Sequence, residues 1–298
     1  IARRDLEEKE LYSGLIFGTL ASLLSKECMR NALWDTIVLD EAGQGSEPNS
    51  IGPCSTAQRV ILVGDHMQLP PGCQHSLMNR SLLERLATET AMPVNMLDIQ
   101  YRMPPQIAAW PGDFFYKSQL QSFKSAPTWR QLPRGFSWPH DAPLAFINVC
   151  SRETWMDPGY TNLGEVKVIC ATVTRMLKAG TSPSCIGVIS AYAEQTRLFE
   201  RQLSHEITVG NVDSFQGREK PIIFVSFVRS NSVNAAGFMT DGRRLNVAVT
   251  RASVALILVG NVGFLTMATE EFQDLIEHCR EADCIVGEPI RQLDYTRC

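Results

Sequence analysis

Long apolar runs are missing from this sequence. No stretch of about 18 apolar residues exists, so no transmembrane helix is expected. Excess positive charge is missing too. The 298 residues carry 28 basic against 32 acidic side chains, a net of −4, which argues against a generally basic nucleic-acid binder. A local basic groove stays compatible with that balance, because affinity follows the phosphates actually contacted. The nine cysteines form no C-x-x-C pair. Cys279 and Cys284 lie closest together, and neither a second pair nor a nearby histidine spacing completes a zinc site. Cys170 and Cys185 fall in helix and strand patterns, so buried thiols in a reducing compartment are expected. No fixed-period repeat is present. The charged start, Ile1 to Glu10, is unlike a signal peptide. With the cysteines, this gives an expected localisation in cytoplasm or nucleus, away from membranes. The first residue is Ile rather than Met, as in a fragment or a processed chain.

What is present alternates between two periods. The length suits one large or two ordinary domains. The pattern predicts a helix over 5–12, a strand over 15–20 and a helix over 21–31. Strands follow at 36–41 and 59–64, separated by a loop at 43–53 rich in Pro and Gly. A helix over 81–90 precedes a strand over 95–100, which Pro104 and Pro105 stop. Residues 122–143 read as an irregular surface loop, and 144–149 as a strand. Asn162 opens the next helix, with Glu165 completing a capping box. Its apolar face holds Val166, Ile169, Cys170, Val173, Met176 and Leu177, and Gly180 ends it. Strands at 185–190, 207–212, 221–228 and 254–260 then alternate with helices at 194–204, 243–252 and 269–282. This is an α/β chain with mostly parallel sheets. It divides near residue 100 into lobes at 1–98 and 99–288, with a tail at 289–298.

The strand at 36–41 organises the chemistry. Its β-branched run suggests burial on both faces. Asp40 and Glu41 stand at its C-terminal end, where open α/β sheets place ligands. An Asp there can hold hydrated magnesium, and the Glu can polarise a water. That is the Walker B pattern of P-loop NTPases; the alternative is a solvated turn. Gln68, just past the second strand, can bond a γ-phosphate and an attacking water, or simply serve a turn. Arg102 can act as a charge clamp and Tyr101 offers a flat face to a nucleobase; the alternative is a hinge with a surface Arg. Gly217 permits close backbone approach, and Glu219 can pair with an arginine or touch a ribose, unless both belong to a polar loop. In the segment Arg243 to Ala252, read as helix, Arg244, Val247 or Ala248, and Arg251 fall near one line. An arginine finger there is worth about a thousandfold in rate; a solvated face is the alternative.

Taken in order, these segments resemble the helicase motifs of superfamily 1, in its 5′-to-3′ branch. The group containing the nonsense-mediated-decay helicase and senataxin is the most similar in wording. Asp40 to Gln44 looks like motif II, Gly64 to Pro71 like motif III and Gln100 to Met103 like motif IV. Val212 to Lys220 looks like motif V and Arg243 to Ala252 like motif VI. Phe17 to Leu20 resembles motif Ic, and Ile186 to Tyr192 the strand and turn before motif V. The resemblance covers roughly residues 10–288.

It implies two RecA-like lobes, the first incomplete, and an ATP-dependent helicase or translocase using ATP and Mg2+ on single-stranded RNA or DNA. By the same resemblance, Asp40 binds magnesium through water, and Glu41 orients and deprotonates the attacking water. Gln68 senses the γ-phosphate, and Arg102 and Arg251 clamp it from the second lobe. Tyr101 stacks on adenine, and Gly217 and Glu219 line the nucleotide cleft. Thr19, Tyr192 and Ser214 contact the single strand. Three positions depart from the family: Gly43 where Ser, Thr or Cys is usual, Pro104-Pro105 for His-Pro, and Ser253 for a basic residue. A larger departure is that no G-x-x-x-x-G-K-[ST] occurs, the loop whose amides and Lys cradle the phosphates. The expectation is therefore the C-terminal part of a longer helicase, with the upstream part as its partner. The rival is a catalytically inactive remnant that binds nucleic acid or protein. A different NTPase, such as a recombinase or kinase, shares the acid-ended strand but leaves Gln100 to Arg102 and the arginine helix unexplained. RNA and DNA are not distinguished.

Overall fold

The computed structural model describes residues 14–25, 33–72, 78–123, 132–232 and 237–287. The chain divides into two compact units, Ile1–Asn95 and Met96–Cys298. The expected helix at 5–12, the far end of the helix at 21–31, the middle of the loop at 122–143 and the tail after 288 lie outside the described residues.

In the first unit, α1 (Leu20–Ser25) is followed by β1 (Trp34–Leu39), α2 (Glu47–Cys54), β2 (Ala57–Leu62) and α3 (Leu82–Glu89). The β1 and β2 strands pair in parallel from Trp34 opposite Ala57 to Leu39 opposite Leu62, with α2 as the crossover that a parallel pair requires. Two sequence expectations fail here. Residues 15–19 form no strand; Thr19 instead starts α1, its hydroxyl accepting the Ser22 N–H at 3.2 Å. Pro48, expected within a loop, is tolerated in the first turn of α2, where its missing N–H has no intrahelical partner to lose. The strands themselves form as expected, but not the burial on both faces. Val38 is 59% exposed and Ile61 51%. A β-branched run specifies extended backbone; cover is a separate matter.

The second unit opens with β3 (Ile99–Gln100), α4 (Pro105–Tyr116) and β4 (Gln121–Ser122). The α4 helix escapes a sequence reading because it begins at Pro105, and a Pro there reads as a stop. Next come β5 (Leu144–Asn148), a hairpin of β6 (Thr154–Met156) and β7 (Gly159–Thr161), α5 (Leu163–Lys178), β8 (Ile186–Ser190), α6 (Ala193–Gln202) and β9 (Thr208–Asn211). The chain continues through α7 (Val212–Phe215), β10 (Lys220–Ser226), α8 (Gly242–Val249), β11 (Ala252–Gly260), α9 (Val262–Leu265), α10 (Glu270–Glu281) and β12 (Ile285–Gly287).

Six of these strands form one sheet in the order β12-β5-β11-β10-β8-β9, and every pairing in it is parallel. Alternation along the strands builds two cores. Ile222 and Phe224, with Ile257, Ile147 and Val188, pack with Val166, Ile169, Val173 and Met176 of α5 and Phe199 of α6. On the opposite face Phe227 stacks with Phe146 and meets Phe272 of α10 edge-on at 5.1 Å. Cys279 and Cys284 are buried, whereas Cys170 and Cys185 are only half-buried. Among the described residues no helix is long and apolar enough to cross a membrane.

A parallel sheet has two chemically distinct rims, one of strand starts and one of strand ends. Along β10 they lie roughly 20 Å apart, from seven residues at about 3.3 Å each.

Candidate functional site

In the first unit the candidate residues follow the ends of β1 and β2. The Glu41 N–H donates to Asp40 Oδ1 at 3.0 Å, and Gln44 Nε2 donates to Glu41 Oε2 at 3.0 Å. Glu41 sits at φ 51°, a left-handed conformation uncommon for this residue type. Both acids are exposed. After β2, Asp65 shapes the second loop: its Oδ1 accepts the Met67 N–H at 2.8 Å and its Oδ2 accepts Gln68 Nε2 at 2.9 Å. The two loops are knitted together by backbone. The Ala42 N–H donates to Val63 O at 2.8 Å. A Cβ on Gly43 would stand 2.8 Å from Asp65 O, and one on Gly64 would stand 2.9 Å from Ala42 N. The glycine that departs from the family wording at 43 is thus what this packing admits. Gly64→Ala is expected to push the loops apart and destabilise the first unit by about 1–3 kcal/mol, read by denaturant unfolding.

In the second unit the residues expected to handle nucleotide gather at the strand starts. Arg102 Nε donates to Glu219 Oε2 at 2.6 Å, and its Nη1 donates to Thr250 O at 3.2 Å. Thr250 also receives Arg251: Nη2 donates to Thr250 Oγ1 at 2.8 Å, while Nε donates to Val247 O at 3.0 Å. Glu219 and Arg251 immediately precede β10 and β11, and the Lys220 N–H donates to Arg251 O. Two expectations change. The helix predicted over 243–252 ends at Val249, so Arg251 lies beyond it, and is only 2% exposed. And although carboxyl ends carry the acids of the first unit, here it is the amino-end rim that gathers the arginines. Gln100 sets the loop before Arg102, its Oε1 accepting the Arg102 and Met103 N–H groups at 3.0 and 2.7 Å. Gln100 and Thr250 fall inside motif segments but receive no role from the sequence, because what they do is hold backbone. Tyr101 is 65% exposed beside Phe123, ring centroids 4.7 Å apart. Gly217 has φ 71° with open space where a Cβ would point, so turn geometry rather than close packing requires glycine there.

Residues expected on the single strand lie elsewhere. Tyr192 follows β8, and Ser214 lies in α7 just past the end of β9, its hydroxyl donating to Asn211 O at 2.8 Å. At the carboxyl-end rim, Glu165 is fully buried. The Ser226 hydroxyl donates to its Oε2 at 2.6 Å, and the Val228 N–H donates to both of its carboxyl oxygens at 3.0 Å. Only half of the expected capping box exists: Asn162 Oδ1 accepts the Glu165 N–H, but the Asn162 N–H donates to Gln195 Oε1 instead. Burial pushes the Glu165 carboxyl up to about 8, against its hydrogen bonds from Ser226 and Val228. Folded Glu165 therefore keeps its proton where the unfolded chain, with a value of about 4.3, releases it. Stability falls as pH rises through that window, by at most about 1.4 kcal/mol per pH unit, and levels above it. Glu165→Gln, which mimics the protonated acid, is expected to flatten this slope in unfolding measured between pH 5 and 8.

Two family profiles, each described as an AAA domain, match residues 78–263 and 3–75. The chain belongs to the superfamily 1 helicases. Among its helicase relatives, the regulator of nonsense transcripts 1 homolog of Neurospora crassa is 36% identical over 289 residues, covering 91% of this chain and 26% of that protein. The ATP-dependent helicase NAM7 of Saccharomyces cerevisiae is 35% identical, covering 84% and 28%. The human DNA replication ATP-dependent helicase/nuclease DNA2 is 32% identical, covering 95% and 30%. The chain thus spans about a quarter to a third of the length of these relatives. A solved arterivirus nonstructural protein 10 helicase with DNA is 16% identical, covers 76% of this chain and 40% of that one, and has a TM-score of 0.43.

Proposed function

We propose that this helicase-family chain carries the hydrolytic and strand-gripping parts of an ATP-dependent translocase on single-stranded RNA or DNA. The observation that supports this best is the Arg102–Glu219–Thr250–Arg251 cluster, which joins residues 149 positions apart in sequence at one rim of the parallel sheet. Two arginines brought to one residue, Thr250, concentrate positive charge of the kind that a polyanion can use.

The residues present fit a nucleotide in part. Asp40 is an exposed carboxylate at a strand end, suited to a magnesium ion that keeps most of its waters. No cluster of three or more metal-ligating side chains is found among the described residues, as a water-held ion permits. Bound magnesium would neutralise phosphate charge. Glu41 would accept the proton of the attacking water, and Gln68 would orient that water. Arg102 and Arg251 would stabilise charge on the γ-phosphate, and Arg251 would have to turn out of its present bonds to do so. Tyr101, exposed and flat, would stack on adenine, with Gly217 and Glu219 beside the nucleotide. The phosphate-cradling loop is not in this sequence, so we expect it to come from an upstream part of the same protein. We assign the two units to an incomplete first and a complete second RecA-like lobe.

The test is ATP turnover with and without single-stranded RNA and DNA, by the chain alone and by the chain fused to an upstream phosphate-binding segment. Strand-stimulated turnover in the fusion supports the reading. Strand binding without turnover in either form supports the inactive remnant.

A further inference from the structure

We propose that Trp155, at the edge of the β6–β7 hairpin, is a base-stacking site for single-stranded nucleic acid on the carboxyl-end rim of the second unit. This rests on the proposed strand-binding function and adds a contact that lies in none of the helicase motifs.

The site is built from the sheet outward. The Val228 residue leaves β10 at φ 71°, and the Arg229 N–H donates back to Phe227 O at 2.7 Å. This is a γ-turn with positive φ, a rare and strained form, and the more so at a β-branched residue. Two glutamates hold it. Glu165 binds Ser226 and Val228, as above. Glu153 Oε2 accepts Arg229 Nε at 3.0 Å, the Ser230 N–H at 2.6 Å and Asn231 Nδ2 at 3.1 Å. Arg229, 4% exposed, is thereby fixed with its guanidinium 4.2 Å from the centre of the Tyr160 ring and donating to the Tyr192 hydroxyl at 2.9 Å.

An aromatic series continues outward from that anchor. Tyr192 meets Tyr160 edge-on at 5.6 Å, and Tyr160 meets Trp155 at 4.9 Å. Trp155 and Tyr160 are directly opposite in the hairpin, so their side chains share a face. The series ends in water: Trp155 is 57% exposed. A large indole held from behind by a locked tyrosine costs little entropy when it is covered, which is what a stacking platform needs. Arg152, three residues earlier in the chain, is exposed and adds positive charge to the segment that leads into the hairpin. Unpaired bases with their phosphates match both features. An exposed indole backed by a fixed tyrosine, with a cation in the same segment, is the combination by which single-strand binders stack bases and hold phosphates. Tyr192, expected on the strand from its motif, stands in the same series, which ties the hairpin to the surface the strand would follow. The Arg102–Glu219 cluster lies at the opposite rim, so this platform is separate from the nucleotide residues of the unit.

The test compares the whole chain with Trp155→Ala and Trp155→Phe, using short oligothymidylate, oligouridylate and an abasic strand of equal length. Trp155→Ala is expected to weaken binding to both base-carrying strands about tenfold, to leave the abasic strand unaffected, and to be largely rescued in Trp155→Phe. Equal affinity of wild type and Trp155→Ala for the base-carrying strands overturns the proposal, as does an equal loss on the abasic strand. If wild type binds none of the strands, the proposed function fails with it.

Discussion

Replacing Glu41 by Gln is expected to lower strand-stimulated ATP turnover about a hundred- to ten-thousand-fold while leaving single-strand affinity unchanged. The substitution keeps the shape and the backbone of the β1 exit. A glutamine amide can still meet Gln44, the partner that Glu41 holds at 3.0 Å. What it removes is the ability to take a proton from water. Asp40, one residue earlier, keeps its own bond from the Glu41 N–H, which the substitution leaves in place. The measurement is single-turnover hydrolysis by the chain fused to a phosphate-binding segment. A loss confined to turnover supports general-base chemistry. Turnover equal to wild type would remove Glu41 from its assigned role and shift the search to Gln68.

Phe224→Ala is expected to cost about 3–5 kcal/mol of stability, a large part of the roughly 5–15 kcal/mol available to a domain. Phe224 is fully buried in the middle of β10, pressed against α5 and α6 with Ile222, Val188 and Ile257 as neighbours. Strands on both sides hydrogen-bond to β10, so the backbone has little freedom to collapse into the void. Val60→Ala in β2 is the matched control: Val60 is 39% exposed, and its loss is expected to stay within about 0.5 kcal/mol. Denaturant unfolding of both variants separates the cases. Similar losses in the two would mean that Val60 is covered in solution.

That contrast also marks how far the sequence carries. Arg59-Val60-Ile61-Leu62 and Ile222-Ile223-Phe224-Val225 look alike as letters, and both form parallel strands. Only the second is buried, because cover depends on residues far away in the chain. Elements with strong local signals were legible: α5 from its apolar face and Asn162 cap, α10 from Thr269, whose hydroxyl accepts the Phe272 N–H. The α4 helix and the β6–β7 hairpin were not, since a Pro at a helix start resembles a stop and three-residue strands carry too little pattern. Single residues of the candidate site were nameable from motif wording. Their supports were not: Thr250 acts through its carbonyl as much as its side chain, Gln100 through a loop, and Glu165 departs from its capping role to bind a strand 61 positions away.

The β10 strand has a mechanical consequence. One end begins beside Glu219, bonded to Arg102; the other ends at the γ-turn that fixes Arg229 under its tyrosines. Between Ile222 and Ser226 it is hydrogen-bonded in unbroken register on both sides. Such a stretch is held in place by both neighbours and works as a fixed spacer, setting the distance from the register shift between Lys220 and Ile222 to the turn at Val228.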